Sequence, residues 1–420
     1  MSNVSAAYKL ASERYAEIGV DTAKALKKLG NYPISLQCWQ GDDVRGFENP
    51  DGDLTGGIQT TGNYPGRART PEELRGDIDF VLQGMIAGKH RVNVHACYSE
   101  FASGKKVERN ELQPEHFKNW ITWAKKNGYG MDFNPTFFSH PMMKDGFTVA
   151  SRDKKVRKFW IQHEIQTRRI AAAIGKALGT ACVNNFWIPD GLKDVPADRE
   201  TPRLILKEAL DECFAEKLDP KYMLDAVESK LFGIGAESYT VGSSEFYLGY
   251  AVQNQKLITF DAGHFHPTET ISDKLSAAMP FVPGILLHVS RGVRWDSDHV
   301  VTITDDLIAI AQEIVRLGRS KDIHIGLDYF DASINRIAAW VVGMRSMQKA
   351  LLFALLEPRK QMVDAEKTAD FTSRMAWTEA AKSLPWQAVW DYYCEENDIP
   401  LDTQWLAEVK AYEKNVLAKR

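Results

Sequence analysis

Four short apolar segments in the second half of the chain each run into an acid or an imidazole. They read Met223-Leu-Asp-Ala-Val-Glu228, Leu257-Ile-Thr-Phe-Asp261, Ile285-Leu-Leu-His288 and Ile323-His-Ile-Gly-Leu-Asp328. A single polar residue at a strand end can do no more than cap neighbouring backbone. Four in succession gather three carboxylates and one imidazole, which repel one another unless a cation lies among them. That donor set suits an oxygen-preferring divalent ion such as Mg²⁺ or Mn²⁺. A second group follows directly, in Asp261-Ala-Gly-His264-Phe-His266 and Arg294-Trp-Asp296-Ser-Asp298-His299. Asp296 and Asp298 are two apart and share a face if the backbone is extended. With His264 they form a candidate second metal site, although Asp-x-Asp alone also describes a solvated acidic loop. Lys230, two residues after Glu228, is a cation placed to polarise a substrate oxygen or hold developing negative charge. An ion pair with Glu228 or Asp261 is the alternative for it.

Earlier segments add polar pairs at the same spacing: Asn93 and His95, Asp132 and Asn134, Asn185 and Trp187. Amides, imidazole and carboxylate suit hydrogen bonds to sugar hydroxyls, and Trp187 suits an apolar wall against a sugar. Core or supporting roles stand beside substrate contact for each. His90, His116, His163 and His324 fall on predicted helices or strand starts, away from this chemistry. No GxGxxG opens a helix after the first strand, and no GxxxxGK[ST] or Gly-x-Ser-x-Gly occurs, so nucleotide and serine-hydrolase chemistry have no motif to stand on. No phosphate-binding glycine loop follows the last strands either, which points to an unphosphorylated substrate.

These residues need elements that bring them together. Eight apolar segments read as strands: Ile34–Trp39, Arg91–Tyr98, Gly130–Thr136, Ala181–Ile188, Met223–Leu231, Leu257–Phe265, Ile285–Ser290 and Ile323–Phe330. Most are continuous apolar runs, as in parallel strands buried on both faces. Amphipathic helices alternate with them. Thr70-Pro71-Glu72-Glu73 predicts a capping box. Pro114 opens a helix that stops at Asn127-Gly128, and Thr304 caps one that ends at Gly318. Lys154–Leu178, Pro202–Leu218 and Ser333–Leu356 also read as helices. Eight β-then-α units predict an α/β fold, a (β/α)8 TIM barrel, with the acids and imidazoles at its C-terminal mouth; a doubly wound open sheet is the alternative. Residues 1–33 form an N-terminal helical segment, 34–356 the barrel, and 357–420 a C-terminal helical extension carrying Trp377, Trp386, Trp390 and Trp405. The Gly41–Arg69 stretch, rich in Gly, Pro, Asn and Asp, becomes a long loop over the mouth.

Bulk composition narrows the function classes. The chain has 420 residues, 44% of them hydrophobic, and a formal net charge of −4. No basic excess is present to meet a phosphate backbone, so no nucleic-acid partner is expected. No run of about 18 apolar residues occurs, so no membrane span is expected. The N-terminus carries Lys9, Glu13, Arg14 and Glu17 in place of a secretory signal's apolar stretch. Five scattered cysteines with no CxxC suggest reduced thiols in a cytoplasmic protein.

Longer strings carry a resemblance to a known family. Cys38-Trp-Gln-Gly-Asp-Asp-Val, Leu54-Thr-Gly-Gly-Ile-Gln, Ala226-Val-Glu-Ser-Lys-Leu-Phe-Gly-Ile-Gly-Ala-Glu-Ser-Tyr-Thr-Val-Gly-Ser, Asp261-Ala-Gly-His-Phe-His-Pro-Thr-Glu, Val293-Arg-Trp-Asp-Ser-Asp-His-Val and Gly326-Leu-Asp-Tyr-Phe-Asp-Ala-Ser-Ile-Asn-Arg resemble the bacterial L-rhamnose isomerases. The resemblance runs from about residue 30 to the C-terminus. It implies a cytoplasmic, homotetrameric aldose–ketose isomerase that interconverts L-rhamnose and L-rhamnulose in the first step of rhamnose breakdown. It also implies a structural ion (Mn²⁺, Zn²⁺ or Mg²⁺) on Glu228, Asp261, His288 and Asp328, and a catalytic Mn²⁺ on His264, Asp296 and Asp298. Under that reading Lys230 holds negative charge on oxygen. His95, Trp187 and Phe330 contact substrate, Phe330 or the Gly41–Arg69 loop lining a pocket for the 6-methyl group. A metal-assisted hydride shift suits the residues better than a single-base enediol route. The rival readings are an isomerase or epimerase of another unphosphorylated aldose, a metal-dependent phosphodiesterase on the same fold, and a non-catalytic sugar binder.

Overall fold

The computed structural model describes residues 2–420 apart from 50, 51, 53, 59, 102–104, 234, 294 and 295. Parts of the Gly41–Arg69 loop and of the family-like strings, including Gln59, Ile234, Arg294 and Trp295, therefore lie outside the described residues. Among the described residues ten strands are formed: β1 Ile34–Gln37, β2 Arg91–His95, β3 Gly130–Asn134, β4 Cys182–Phe186, β5 Gly191–Leu192, β6 Met223–Glu228, β7 Tyr239–Thr240, β8 Leu257–Asp261, β9 Ile285–Val289 and β10 Ile323–Leu327. Eight close into a barrel in the order β1-β10-β9-β8-β6-β4-β3-β2. Every pairing in it is parallel. This is the predicted TIM barrel, and closure excludes the open sheet. Each predicted strand contains the observed one but runs past it by one to four residues. The apolar pattern continues where the ladder stops, because the rim is still packed although no longer paired. Asp328, Lys230, Trp187, His264 and Phe330 all sit in that overrun. β5 and β7 form a separate antiparallel pair, too short to leave a pattern in sequence.

Alternation along the strands sorts the interior into layers. At the lower end Arg91 Nε binds Asp132 Oδ2 at 2.8 Å, and Ser35 Oγ and the Val183 amide also donate to that carboxylate. Val183, Ala226, Leu257 and Leu286 form a small apolar cluster within the barrel. The next residues on the same faces, two positions on, are Asn185, Glu228, Thr259 and His288.

Most helix signals act as expected. Thr70 Oγ1 accepts from the Glu73 amide, and the helix runs Pro71–Gly84. The Glu73 carboxylate reaches past Thr70 to the Arg69 amide, so the reciprocal half of the box lies one residue earlier. Pro114–Phe117 is a 3₁₀ turn leading into Lys118–Asn127, which ends at Gly128 with φ +73°. Thr304 caps Asp305–Leu317, and the helix Lys154–Leu178 has the predicted ends. The predicted Pro202–Leu218 helix is Glu200–Cys213. It stops early because the Arg168 guanidinium takes the carbonyls of Cys213 and Glu216. The predicted Ser333–Leu356 helix is Arg336–Leu355, with Asn335 as its cap.

Both ends of the chain pack on this frame. Two helices, Asn3–Ala16 and Thr22–Leu29, precede β1. In the tail Trp390 is fully buried beneath Arg345, while Trp377, Trp386 and Trp405 are half-buried. Tyr8 stacks on Tyr392 at 3.8 Å, and Arg420 grips Asp77 through both terminal nitrogens at 2.7 Å. The five cysteines are buried and free. Among the described residues no single helix is long and apolar enough to cross a membrane.

Candidate metal centre and active site

Glu228 and Asp261 end β6 and β8, His288 is the last residue but one of β9, and Asp328 lies one residue beyond β10. Register places Asp261 opposite His288 and His288 opposite Gly326. A Cβ at Gly326 would stand 3.3 Å from the His288 ring, so glycine leaves that imidazole its place. All four ligand candidates are buried. One donor atom from each lies within 4.8 Å of the others. His288 Nδ1 is 3.2 Å from Glu228 Oε2, 3.0 Å from Asp328 Oδ2 and 3.8 Å from Asp261 Oδ2. Yet among the described residues neither ring nitrogen of His288 makes a hydrogen bond, and Asp328 Oδ1 has no partner. Buried polar atoms rarely stay unsatisfied. Donor atoms that converge without bonding one another fit a divalent cation.

A second group adjoins the first and shares Asp261 with it: Asp261, His264 and Asp296. His264 Nε2 is 3.2 Å from Asp296 Oδ2, and its Nδ1 is 3.2 Å from Glu228 Oε1. Gly263 makes this approach possible, since a Cβ there would meet Asp296 Oδ1 at 2.5 Å. The Asp296 side chain keeps 30% exposure. Asp298 lines the same cavity but belongs to neither group of converging donors. Its φ of +44° is left-handed, which interrupts the extended backbone that would aim it alongside Asp296.

Electrostatics express the crowding. Burial pushes Asp261 up, and the charges of Glu228, Asp296 and Asp328 outweigh His264 to hold it well above the carboxylate range. Burial and the neighbouring Asp296, Asp328 and Asp261 do the same to Asp298. Asp328 is raised by burial despite His288. Burial alone would depress His288, but Glu228 and Asp328 hold it well above the usual imidazole value. His264 is likewise raised against burial by Asp261 and Asp296. Burial would raise Glu228 and Asp296, but the imidazoles beside them pull both down. Opposed shifts of this kind arise where carboxylates and imidazoles crowd one buried space.

Above the ligands lies a cavity of about 520 Å³. His95, Trp187, Phe330 and Lys230 all line it. Lys230 Nζ donates to the Gly56 carbonyl at 3.2 Å and sits over the Trp187 ring. It makes no ion pair with Glu228 or Asp261; burial lowers its pKa, and Asp296 and Asp190 pull the other way. The His95 Nε2 contacts Gln37 Oε1 at 3.1 Å, leaving Nδ1 unpartnered. Burial pushes His95 down to about 3, so its ring is neutral. Gly56, Gly57, Ile58 and Thr61 of the Gly41–Arg69 loop also line the cavity, as the loop's position after β1 predicts.

Sequence reasoning missed Trp39 and Phe138. Trp39 stacks on His95 at 4.3 Å and meets Phe330 edge-on at 5.2 Å. Phe138 meets Trp187 edge-on at 6.1 Å. An aromatic two to four residues past the end of a barrel strand is the signal that marks both. Asp132, read as a possible sugar contact, lies a layer below the mouth and is consumed by Arg91. Of the histidines set aside, His90 is held beneath the barrel by Ala87 and the Ile34 amide, and none of the four lines the cavity.

A family model described as L-rhamnose isomerase (RhaA) matches residues 2–420. The chain is 59% identical over 414 residues to proteins named L-rhamnose isomerase from Salmonella paratyphi A and Salmonella typhi, covering 99% of this chain and 98% of each relative. A solved D-psicose 3-epimerase with D-tagatose from Clostridium cellulolyticum H10 is similar at a TM-score of 0.45 and 10% identity, over 77% of this chain and 98% of that one.

Proposed function

From the premise that the chain belongs to the L-rhamnose isomerase family, we propose that it interconverts L-rhamnose and L-rhamnulose at the barrel mouth. The observation that carries this is the pair of converging donor groups sharing Asp261, at the floor of an aromatic-walled cavity of sugar size. Glu228, Asp261, His288 and Asp328 would hold one divalent ion. His264 and Asp296, with Asp298 swung in, would hold a second, Mn²⁺ for preference; the first could be Mn²⁺, Zn²⁺ or Mg²⁺. Bound ions of this kind supply Lewis acidity and a template for adjacent substrate oxygens.

The side chains divide the remaining work. Neutral His95, fixed by Gln37, offers Nδ1 to a substrate hydroxyl. Trp39, Phe330 and Phe138 exclude water and give a 6-methyl group an apolar seat. The Lys230 ammonium, held by Gly56 and Trp187, stabilises negative charge on oxygen. In the reaction a hydride moves from C2 to C1 while the O2 proton leaves and O1 gains one. A direct shift is favoured because few cavity-lining bases stand outside the donor groups: His95 is too weakly basic, Asp331 is tied to Ser333, and His299 Nδ1 is engaged by Ser297 Oγ. The formal net charge of −4 and the family match speak against phosphodiester cleavage. A cytoplasmic setting agrees with five unpaired cysteines, and a homotetramer is proposed with it.

The decisive experiment strips the protein with chelator and assays rhamnose-to-ketose conversion before and after Mn²⁺ return, with metal analysis alongside. Full activity in metal-free protein would end the proposal. Running the reaction in heavy water separates the routes, because extensive deuterium at C1 of the product would overturn the direct shift.

A further inference from the structure

Asn185 sits on β4 beside the first ligand group and is buried. It lies among the sugar-contact candidates in sequence, but its amide is already committed at both ends. Nδ2 donates to Glu228 Oε2 at 2.5 Å, and Oδ1 accepts from Thr259 Oγ1 at 2.8 Å. Thr259 is on β8, the register partner of Glu228 on β6, and it too is buried. Three neighbouring strands thus contribute one residue each to a chain of hydrogen bonds that ends on a ligand oxygen.

We infer that Thr259 and Asn185 are positioning residues that orient Glu228 for the cation, an inference that rests on the metal reading above. The physical reason lies in the amide's two faces. Glu228 must be met by N–H, because a carbonyl turned toward it would repel the carboxylate. Thr259 Oγ1 donates to Oδ1 and so holds the far end of the amide while Nδ2 stays on Glu228. Remove that hydroxyl and Oδ1 is buried without its donor, so the amide is fixed at one end only and holds Glu228 less firmly. Glu228 is crowded by Asp261 and Asp328, and without the amide it would swing away from them. Groups that hold a metal ligand in this way are typically worth about 10–100-fold in metal affinity.

The test is Mn²⁺ titration of chelator-stripped protein, followed by the electron paramagnetic resonance signal of free Mn²⁺. T259V, which keeps shape and loses the hydroxyl, should weaken the tighter site about tenfold, and N185A by about 10–100-fold. T259S restores the hydroxyl and should return affinity close to the wild-type value. Thermal unfolding of the ion-free proteins is measured in parallel. A merely structural role would shift unfolding and leave affinity alone. Should T259V not fold, T259A carries the same expectation. Wild-type affinity in folded T259V or T259A, or no rescue by T259S, overturns the relay while the metal reading stands. Wild-type protein that takes up no divalent ion at all sinks both, and so tells the two failures apart.

Discussion

Asp296 and Asp298 are two residues apart, yet only Asp296 reaches His264. The left-handed backbone at Asp298 breaks the extended geometry that a two-residue spacing assumes, and the residue lines the cavity outside both donor groups; no side-chain pattern in the sequence announces such a turn. Under the two-ion reading both carboxylates meet the second cation when it is bound. D296N and D298N should therefore each lower kcat for rhamnose by about 10²–10³-fold, the cost of losing several kcal/mol of charge stabilisation in the transition state. Steady-state kinetics with saturating Mn²⁺ check this, and a near-wild-type D296N would remove the second site from the reaction. Lys230 makes a separate case, since its ammonium meets the Gly56 carbonyl and the face of the Trp187 ring. K230M should keep a folded protein and a KM near wild type while kcat falls about 10²-fold or more. K230R should not rescue it, because a planar guanidinium cannot occupy the seat of a compact ammonium. A K230M enzyme that loses only KM would make the lysine a binder instead.

The helix Lys154–Leu178 was legible to both ends, because Asp153 caps it and Gly179 stops it. What it carries inward was not legible. Glu164 is fully buried against β4, where Asn184 Nδ2 and Thr167 Oγ1 donate to its two oxygens. Burial, reinforced by Asp225 and opposed by Arg168, pushes its pKa from 4.5 to about 8. An acid raised on folding keeps its proton in the native state after the unfolded chain has lost it. Its contribution is thus most favourable below the unfolded value and is lost as pH climbs from about 4.5 to about 8. E164Q keeps the shape without the charge. Its melting temperature relative to wild type should therefore rise between pH 5 and pH 8.5, and a flat difference would mean Glu164 does not titrate there. The wider lesson has the same form. Strand existence, order and the ligand-bearing ends follow from apolar runs and what interrupts them. Asp132 and Asn134 have the same spacing and face, yet one is spent on Arg91 and the other faces the cavity. Layer depth inside a closed barrel decides that difference, and spacing does not encode it.

At the scale of the molecule, a cation on the first ligand group would tie together β6, β8, β9 and β10, four consecutive staves of the barrel. The lower end of the barrel holds itself together without one, through Arg91, Asp132 and Ser35. Stabilisation by the ion should therefore be both large and local. An ion that binds only the native protein adds about 2.7 kcal/mol at a hundred times its Kd and about 4.1 kcal/mol at a thousand times. Chelation should lower the melting temperature, and Mn²⁺ should restore it in a concentration-dependent way that Na⁺ does not copy. Hydrogen exchange locates the effect. Amides at the C-terminal ends of β6, β8, β9 and β10 should lose protection in the stripped protein, while those of β2 and β3 near Arg91 and Asp132 hold theirs. Uniform loss around the barrel would mean that the ion supports the whole fold. No loss at those four ends, with Mn²⁺ bound in the control, would place the cation somewhere other than the mouth.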